Sequence, residues 1–517
     1  MNIGHLLTKS ALSYPESAAV VFQDKHFTYR EFDERVNQLG NAMKQLGIKK
    51  GHNIAILQTN SNQMLESMFS CFKIGATAIP INAQLHPQEY GYIIKDSGAV
   101  AIIFGQNYRE HLTNMRSELV DIQHMICTGE PEDGMLNYEE LLSGSSTENS
   151  EVEVDPTDNA WIFYTSGTTG KPKGAMLTHR NLLAMTMNYY GDMIGLSPDD
   201  AILHAAPLSH GSGLYSIPNV GKAANHVIMP RFRPEEAFQL IEKYRVTNIF
   251  LAPTMIKAML TSDALSKYDL SSLRAITYGG APMYAEDIKD ALRKIGPVFV
   301  QLYGLGESPM TITYLRKEEH RLEGTEEEMK RLTSAGIART CMEVRIVDEE
   351  DRELAPGEVG EIVCRGEAVM KGYLNQPEET AETLRNGWLH TGDIGTMDEK
   401  GYVYILDRSK DMVISGGVNI YPREVEDVIL LHPAVHEVAV IGVPDEYWGE
   451  AVKAVVTLKP GKTLTQDELL DFCKEHLASF KKPKTVDFVD AIPKNPYGKV
   501  LKRELRDQYL TDKDRRV

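Results

Sequence analysis

The residues best suited to chemistry in this chain lie in one stretch, residues 165–174, which reads TSGTTGKPKG. Gly167, Gly170 and Gly174 allow sharp turns and a close approach of the backbone to a ligand. Backbone N–H groups in such a turn can converge on an anion. The side chains add hydroxyl donors and positive charge, from Thr165, Ser166, Thr168, Thr169, Lys171 and Lys173. The stretch therefore predicts a phosphate-binding loop.

The segments on either side predict the order strand, loop, helix, which is common at phosphate sites. The apolar run 160–164 (AWIFY) indicates a buried strand, and residues 181–187 indicate a helix. The spacing is not that of a Walker A loop, because Thr165 stands where its first glycine is needed and Pro172 follows Lys171. A surface loop rich in turn residues is the alternative interpretation.

Three shorter patterns could also hold parts of a ligand. Residues 303–307 (YGLGE) end a predicted strand with a carboxylate, which is the ligand type that Mg²⁺ prefers. Gly279 and Gly280 follow another predicted strand and allow close backbone approach. Asp393, in a Thr-Gly-Asp turn, can accept hydrogen bonds from two neighbouring hydroxyls. Taken singly, each pattern is equally typical of an ordinary turn.

Composition excludes several classes of protein. A chain of 517 residues predicts two or more domains. The formal net charge of −18 argues against a nucleic-acid binder, which needs a basic surface. The five cysteines are scattered, odd in number and without C-x-x-C pairs, so neither a disulfide framework nor a zinc site is expected. With no signal peptide and no transmembrane stretch in the sequence, we expect a cytoplasmic protein.

The order of apolar segments predicts an α/β fold. Strands alternate with helices up to about residue 302, which predicts βαβ units and mostly parallel sheets in a large N-terminal domain. Short strands between residues 342 and 406 predict a small β-barrel-like subdomain. The pattern then restarts as a compact α+β unit. We place the division at 1–409 and 410–517, with a small C-terminal domain.

The stretch TSGTTGKPKG resembles the phosphate-loop signature of the adenylate-forming superfamily, which includes acyl-CoA synthetases, peptide-synthetase adenylation domains and beetle luciferases. The other patterns follow in the family's order, so the resemblance covers nearly the whole chain. It implies that the loop holds the β- and γ-phosphates of ATP while a carboxylate attacks the α-phosphate. The residues that this assigns to the loop are Thr165, Ser166, Gly167, Thr168, Thr169 and Lys173.

The resemblance also assigns the nucleotide site. Tyr303, followed by Gly304, would stack on adenine, and Glu307 would bind Mg²⁺. Gly279, Gly280 and Ala281 would line the pocket for adenine and the acyl carboxylate. Asp393 and Arg408 would hold the ribose hydroxyls. Gly306 departs from the usual Thr or Ser, whose side chain contacts the adenylate phosphate in the family.

Five further residues are assigned only by the resemblance. Lys499 would bridge the carboxylate and the α-phosphate during adenylation, as a positioned cation. Lys410 would be the pivot of the C-terminal domain. Gly416 and Gly417 would meet the pantetheine of CoA after rotation. His210 matches a position beside the acyl channel, although a lone histidine is more often structural.

We therefore predict an AMP-forming acid–CoA ligase that uses ATP, Mg²⁺ and CoA, with Lys499, Glu307, Thr165 and His210 at the reacting centre. Small residues around the predicted acyl channel leave room for a long or bulky acid, and a medium- or long-chain fatty acid is the first choice. They are Ser212, Gly213, Gly221, Ala223 and Ala224. The alternatives are an aryl acid, or a carrier protein as acceptor in place of CoA. A homodimer is possible.

Overall fold

The computed structural model describes residues 1–165, 171–281, 283–408, 411–415, 418–445, 447–494 and 500–509. The chain divides into two compact units. One comprises Met1–Val344 with Cys364–Leu389, and the other comprises Arg345–Val363 with His390–Val517. The predicted pivot at Lys410 lies outside the described residues, so the predicted division at 409/410 stays a prediction.

The first part of the chain alternates strands and helices as predicted. The second helix begins with a capping box, in which Thr28 accepts from the backbone N–H of Glu31 and the Glu31 side chain accepts in return. The elements up to residue 143 are α1 (His5–Ser13), β1 (Ala18–Phe22), β2 (Lys25–Thr28), α2 (Tyr29–Gln45), β3 (Asn53–Leu57), α3 (Asn62–Lys73), β4 (Thr77–Ile81), α4 (Pro87–Asp96), β5 (Ala101–Phe104), α5 (Arg109–Asn114), β6 (His124–Cys127), β7 (Leu136–Asn137) and α6 (Tyr138–Ser143).

The alternation continues through the central part of the chain. Its elements are β8 (Asn159–Thr165), β9 (Lys173–Thr178), α7 (His179–Asp192), β10 (Ala201–His204), α8 (Gly211–Val220), β11 (Asn225–Ile228), α9 (Pro234–Tyr244), β12 (Asn248–Leu251), α10 (Pro253–Leu260), β13 (Ala275–Tyr278), α11 (Ala285–Lys294) and β14 (Phe299–Tyr303). Then follow β15 (Thr313–Leu315), α12 (Glu326–Lys330), β16 (Ile337–Ala338), β17 (Met342–Val347), β18 (Gly360–Gly366), β19 (Gly372–Tyr373), α13 (Pro377–Thr383), β20 (Leu389–Met397) and β21 (Val403–Arg408).

Two large, mostly parallel sheets form the first unit, as predicted. In the described chain their strand orders are β16-β15-β14-β13-β12-β10-β11-β1-β2 and β19-β9-β8-β4-β3-β5-β6-β7. The central pairs are parallel, for example β3 with β4 and β12 with β13. Helices cover these sheets because parallel strands need crossover connections. The core includes the fully buried Trp161, which stacks on Phe72 with ring centroids 6.4 Å apart.

The predicted order strand, loop, helix is wrong at the phosphate-loop stretch. A second strand, β9, follows the loop and pairs antiparallel with β8, so that Lys173 lies opposite Thr165. The predicted helix at residues 181–187 lies within α7, which begins at His179 after this strand. The backbone groups of Lys173–Thr178 therefore form hydrogen bonds within the sheet. Strands β8 and β9 are the two arms of a β-hairpin.

The predicted barrel-like subdomain is an open sheet. Its described strands have the order β17-β18-β20-β21, and most of their residues belong to the second unit. A barrel closes only when its first and last strands pair, and β17 and β21 are the two ends of this order. The short strands predicted the region's β character, but strand pairing is a tertiary property.

The rest of the second unit is α+β, as predicted. The antiparallel pair of β24 and β25 is flanked by β22, and β26 runs parallel to β25. None of the described helices is long and apolar enough to cross a membrane. The C-terminal elements are β22 (Val413–Ser415), β23 (Val418–Ile420), α14 (Pro422–Leu430), β24 (Val435–Asp445), β25 (Gly449–Leu458), α15 (Gln466–His476), β26 (Thr485–Phe488) and α16 (Lys502–Tyr509).

Candidate active site

Three segments that are far apart in sequence meet at the carboxylate of Glu307. Its Oε1 accepts a hydrogen bond of 3.3 Å from the Thr165 hydroxyl and one of 2.7 Å from the Tyr373 hydroxyl. Thr165 ends β8, Glu307 follows β14, and Tyr373 lies on β19, which pairs with β9. The two sheets of the first unit thus supply the predicted metal ligand and the first hydroxyl of the predicted phosphate loop.

Lys173 lies beside this cluster. Its side chain is nearly buried, forms an ion pair with Glu379 at the start of α13, and places its ammonium 5.4 Å from the centre of the Tyr373 ring. Burial and the neighbouring Glu307 carboxylate raise the pKa of Tyr373. The Tyr373 hydroxyl therefore stays protonated and can donate to Glu307.

Glu307 fits the predicted Mg²⁺ site. Both hydrogen bonds end on Oε1. Among the described residues, none donates a hydrogen bond to Oε2. Proteins commonly hold Mg²⁺ by one or two carboxylates, with substrate phosphates and water completing the shell. The described residues contain no group of three or more His, Cys, Asp or Glu side chains suited to a metal. A single carboxylate next to a phosphate loop fits a metal that arrives with its nucleotide.

Gly306 has no room for a side chain. A Cβ atom there would lie 2.3 Å from Cγ2 of Thr165 and 2.8 Å from Cδ1 of Phe163. The backbone of Gly306 is not in the positive-φ region, so packing, not conformation, requires the glycine. A Thr or Ser at this position would require the Thr165 and Phe163 side chains to move.

His210 lies immediately before α8 and is half-buried. Its ring contacts Phe163 edge to face, with centroids 4.9 Å apart, and its Nδ1 lies 3.0 Å from the Ser209 hydroxyl. Burial lowers the pKa of His210 to about 3. The imidazole is therefore neutral near pH 7 and acts as a ring surface, not as a cation.

The glycines predicted to line the nucleotide pocket lie at the carboxyl end of strand β13, which is parallel to its neighbour β14. Gly279 follows β13, and its Cα packs against the neighbouring strand so closely that a Cβ would lie 2.5 Å from the Leu302 carbonyl oxygen. Gly280 has φ +80°, is exposed, and is followed by the half-buried Ala281. This edge of an α/β sheet is where ligands bind.

The predicted adenine residue stands on the next strand. Tyr303 is the last residue of β14 and is buried, with 8% of its surface exposed. At Gly304 a Cβ would lie 2.5 Å from the backbone nitrogen of Met310, so the chain doubles back closely on itself. The turn directs Glu307 towards Thr165.

The two predicted ribose ligands pair with each other in the second unit. Asp393 on β20 lies opposite Arg408 on β21, and Oδ1 of Asp393 is 2.6 Å from Nε of Arg408. Asp393 is almost buried, and its backbone N–H donates to the Thr391 hydroxyl at 3.1 Å. The preceding Gly392 has φ +69°, a conformation that favours glycine. The Thr391-Gly392-Asp393 segment thus lies within β20, with the Asp393 carboxylate paired to Arg408.

Part of the predicted site lies outside the described residues, and its roles stay predictions. These residues are Ser166, Gly167, Thr168, Thr169, Lys410, Gly416, Gly417 and Lys499.

The room predicted from small residues near the acyl channel is taken up by packing. At Gly213 a Cβ would lie 1.8 Å from the Leu208 carbonyl oxygen, and at Gly221 it would lie 2.5 Å from the Tyr190 hydroxyl. Ser212 is buried, with its hydroxyl 2.8 Å from Nδ1 of His204. Ala223 and Ala224 are fully buried. The small side chains therefore do not indicate a long acyl chain.

Sequence reasoning missed three residues of the site: Tyr373, Glu379 and Phe163. The first two lie in the run GYLNQPEET, residues 372–380, where Pro377 and the following acidic residues are a helix-start signal. That signal predicts α13 but not which side chains reach Lys173. Phe163 was assigned only to a buried strand, and alternation along β8 would have placed it on the same face as Thr165.

Two mostly parallel sheets with a carboxylate, a hydroxyl and a lysine at a glycine-rich hairpin, joined to an α+β unit, define an adenylate-forming enzyme. Comparison with known families agrees. The profile of the AMP-binding enzyme family matches residues 7–374, and that of the AMP-binding enzyme C-terminal domain matches residues 424–499. The chain belongs to this family and to its acyl-CoA synthetase group, and is thus an acid–thiol ligase.

The relatives act on different acids. A feruloyl-CoA synthase of Amycolatopsis sp is 37% identical, over 98% of this chain and 99% of the relative. A fatty acid–[acyl-carrier-protein] ligase of Streptomyces coeruleorubidus is 34% identical, over 97% and 95%. Among solved structures, ATP-bound MatB from Rhodopseudomonas palustris superposes with a TM-score of 0.90 at 30% identity, covering 99% of this chain and 100% of MatB.

Proposed function

We propose that the chain joins a carboxylic acid to CoA in two steps. In the first, an oxygen of the acid attacks the α-phosphorus of ATP, and pyrophosphate leaves. In the second, the CoA thiolate attacks the carbonyl carbon of the acyl-adenylate, and AMP leaves. The observation that carries this proposal is the meeting of Thr165, Glu307 and Tyr373 beside Lys173.

Each group has a task in the first step. Thr165 and Lys173 would bind the terminal phosphates, with Lys173 exchanging its ion pair with Glu379 for the departing pyrophosphate. Tyr373 holds Glu307 in a fixed orientation through its hydrogen bond. Mg²⁺ bound at Glu307 would neutralise charge on the phosphates. By resemblance, Asp393 and Arg408 would hold the ribose, and Lys499 would stabilise the charge that develops on the α-phosphate.

The experiment is an assay of pyrophosphate release by the full chain with ATP, Mg²⁺ and a panel of acids, with and without CoA. We expect slow release without CoA, continuous turnover with CoA, and loss of both in Glu307→Gln. Glu118→Gln, an exposed carboxylate in the same unit, is the matched control. No release with any acid would overturn the proposal.

A carrier protein is the second candidate acceptor, because the Streptomyces coeruleorubidus relative is named for one. Both acceptors present the same phosphopantetheine thiol, so the first step is common to them. Thioester formed on a phosphopantetheinylated carrier protein but not on CoA would assign the acceptor to the carrier.

A further inference from the structure

Phe163 stands between the reacting groups and the predicted acyl channel. Alternation along β8 places Trp161, Phe163 and Thr165 on one face of the strand. Trp161 is fully buried in the core, whereas Thr165 reaches Glu307. Phe163, between them, is half-buried and contacts His210. Phe163 therefore contacts His210, at the predicted acyl channel, and also lies against Gly306 beside Thr165.

The lack of a side chain at Gly306 leaves the space that the Phe163 ring occupies. A Cβ at Gly306 would overlap Cδ1 at 2.8 Å and Cε1 at 3.2 Å. The ring is held from its other sides by Trp161, whose centroid is 6.4 Å away in a stacked arrangement, and by His210 at 4.9 Å. The chain therefore replaces the usual hydroxyl-bearing side chain with the edge of an aromatic ring.

The aromatic surface continues beyond His210. At Gly211 a Cβ would lie 2.7 Å from Cε1 of Phe250, a second half-buried ring. The Phe250 ring contacts Tyr215 edge to face, with centroids 5.6 Å apart. His210 is neutral, so it adds a further uncharged ring to this surface. Phe163, His210 and Phe250 thus place three aromatic rings on the side where the acyl channel is predicted.

We infer that Phe163 is a specificity-determining residue, seated by Gly306, and that it selects an acid that is planar and conjugated next to its carboxyl group, such as an aryl or arylacrylic acid. The inference rests on the proposed function. Planar π-systems gain from offset or edge-to-face contact with aromatic rings, beyond the burial that any apolar chain obtains. A saturated chain has only burial to gain.

The test compares matched acids on the full chain: trans-cinnamic acid against 3-phenylpropanoic acid, and trans-2-octenoic acid against octanoic acid. The readout is the ratio of kcat/KM for conjugated over saturated acid, measured by pyrophosphate release. Because each ratio is internal to one enzyme preparation, loss of folded protein does not alter it. We expect the wild type to favour the conjugated member of both pairs.

Two substitutions of Phe163 test whether its aromatic ring causes the preference for a conjugated acid. Phe163→Leu, which keeps an apolar side chain, should lower the ratio about two- to tenfold, and Phe163→Tyr, which keeps the ring, should leave it unchanged. Equal ratios in the wild type and Phe163→Leu, or a wild type that prefers saturated acids, would overturn the inference while leaving the ligase proposal intact. Absence of pyrophosphate release with every acid would instead overturn the ligase proposal and this inference with it.

Discussion

The hydroxyl of Tyr373 donates a 2.7 Å hydrogen bond to Oε1 of Glu307. Tyr373 comes from a strand on the edge of one sheet, and Glu307 follows a strand of the other. The hydrogen bond therefore ties the predicted metal ligand to the sheet that carries the phosphate hairpin. Partners that orient a ligating carboxylate commonly tune metal affinity as strongly as they affect activity.

Tyr373→Phe should weaken metal binding, because Glu307 loses its orienting donor while the ring next to Lys173 remains. We expect the affinity for Mn²⁺, in the presence of a non-hydrolysable ATP analogue, to fall at least about tenfold. Electron paramagnetic resonance of free Mn²⁺ measures this without turnover. Tyr108→Phe removes a similar 2.7 Å hydrogen bond, to the Ala83 carbonyl, and is the control. Equal Mn²⁺ affinity in both variants would contradict the assigned role.

Gly306→Ala should destabilise the first unit and slow adenylation of every acid. The new Cβ overlaps Thr165 and Phe163, and overpacking of this kind costs about 1–3 kcal/mol of unfolding free energy. Denaturant unfolding and pyrophosphate release measure the two effects. Gly195→Ala, where a Cβ meets nothing within 4 Å, is the control.

The same substitution should be better tolerated when both overlapping atoms are absent. Thr165→Ser removes Cγ2 but keeps the hydroxyl, and Phe163→Val removes Cδ1 and Cε1. In that background we expect Gly306→Ala to cost clearly less unfolding free energy than it does in the wild type. An undiminished cost would mean that the glycine is needed for another reason.

Lys499→Ala should separate the two half-reactions. By resemblance, its ammonium acts only while the α-phosphate is attacked, so adenylation should fall about 10²–10³-fold, the loss expected for one transition-state donor. Thioester formation from supplied acyl-adenylate and CoA should be largely retained. Rapid-quench measurement of each step decides, and an equal loss in both would remove Lys499 from the first step.

Two buried histidines predict acid sensitivity of the fold. His204 and His226 are fully buried and stack on each other, with His204 Nε2 2.9 Å from His226 Nδ1. Burial lowers the pKa of His204 to about 3, and burial with the neighbouring His204 lowers that of His226. In the unfolded chain both pKa values are near 6.5. Below pH 6.5 the two histidines are therefore protonated in the unfolded state but remain neutral in the folded state.

Stability should consequently fall as the pH drops from 6.5 towards 3. Well below pH 6.5, protonation of each of the two histidines in the unfolded chain lowers the free energy of unfolding by about 1.4 kcal/mol per pH unit. Urea unfolding at pH 7.0 and 5.5, compared between the wild type and His226→Asn, measures this slope. A variant that loses as much stability as the wild type on acidification would contradict the assignment.

Local patterns predicted much of the secondary structure. Strand β3 (Asn53–Leu57) and helix α9 (Pro234–Tyr244) both belong to the alternation of strands and helices that the sequence predicts up to about residue 302. Strand β3 is a short continuous apolar run, whereas α9 combines a helical apolar period with Pro234 at its start. Helix α8 was missed because its residues are buried on all sides, which leaves no amphipathic period to read. Strand β9 was missed because its glycine and lysine are typical of loops.

The chain's sequence alone determined the family, and with it the reaction class, because glycines, hydroxyls and charged groups in a fixed order are specific at the level of residue type. Tertiary structure decided which groups meet. Tyr373 reaches Glu307, Glu379 reaches Lys173, and the Phe163 ring fills the space above Gly306. These contacts join residues distant in the chain, and their distances depend on how two sheets pack. No local pattern encodes such packing.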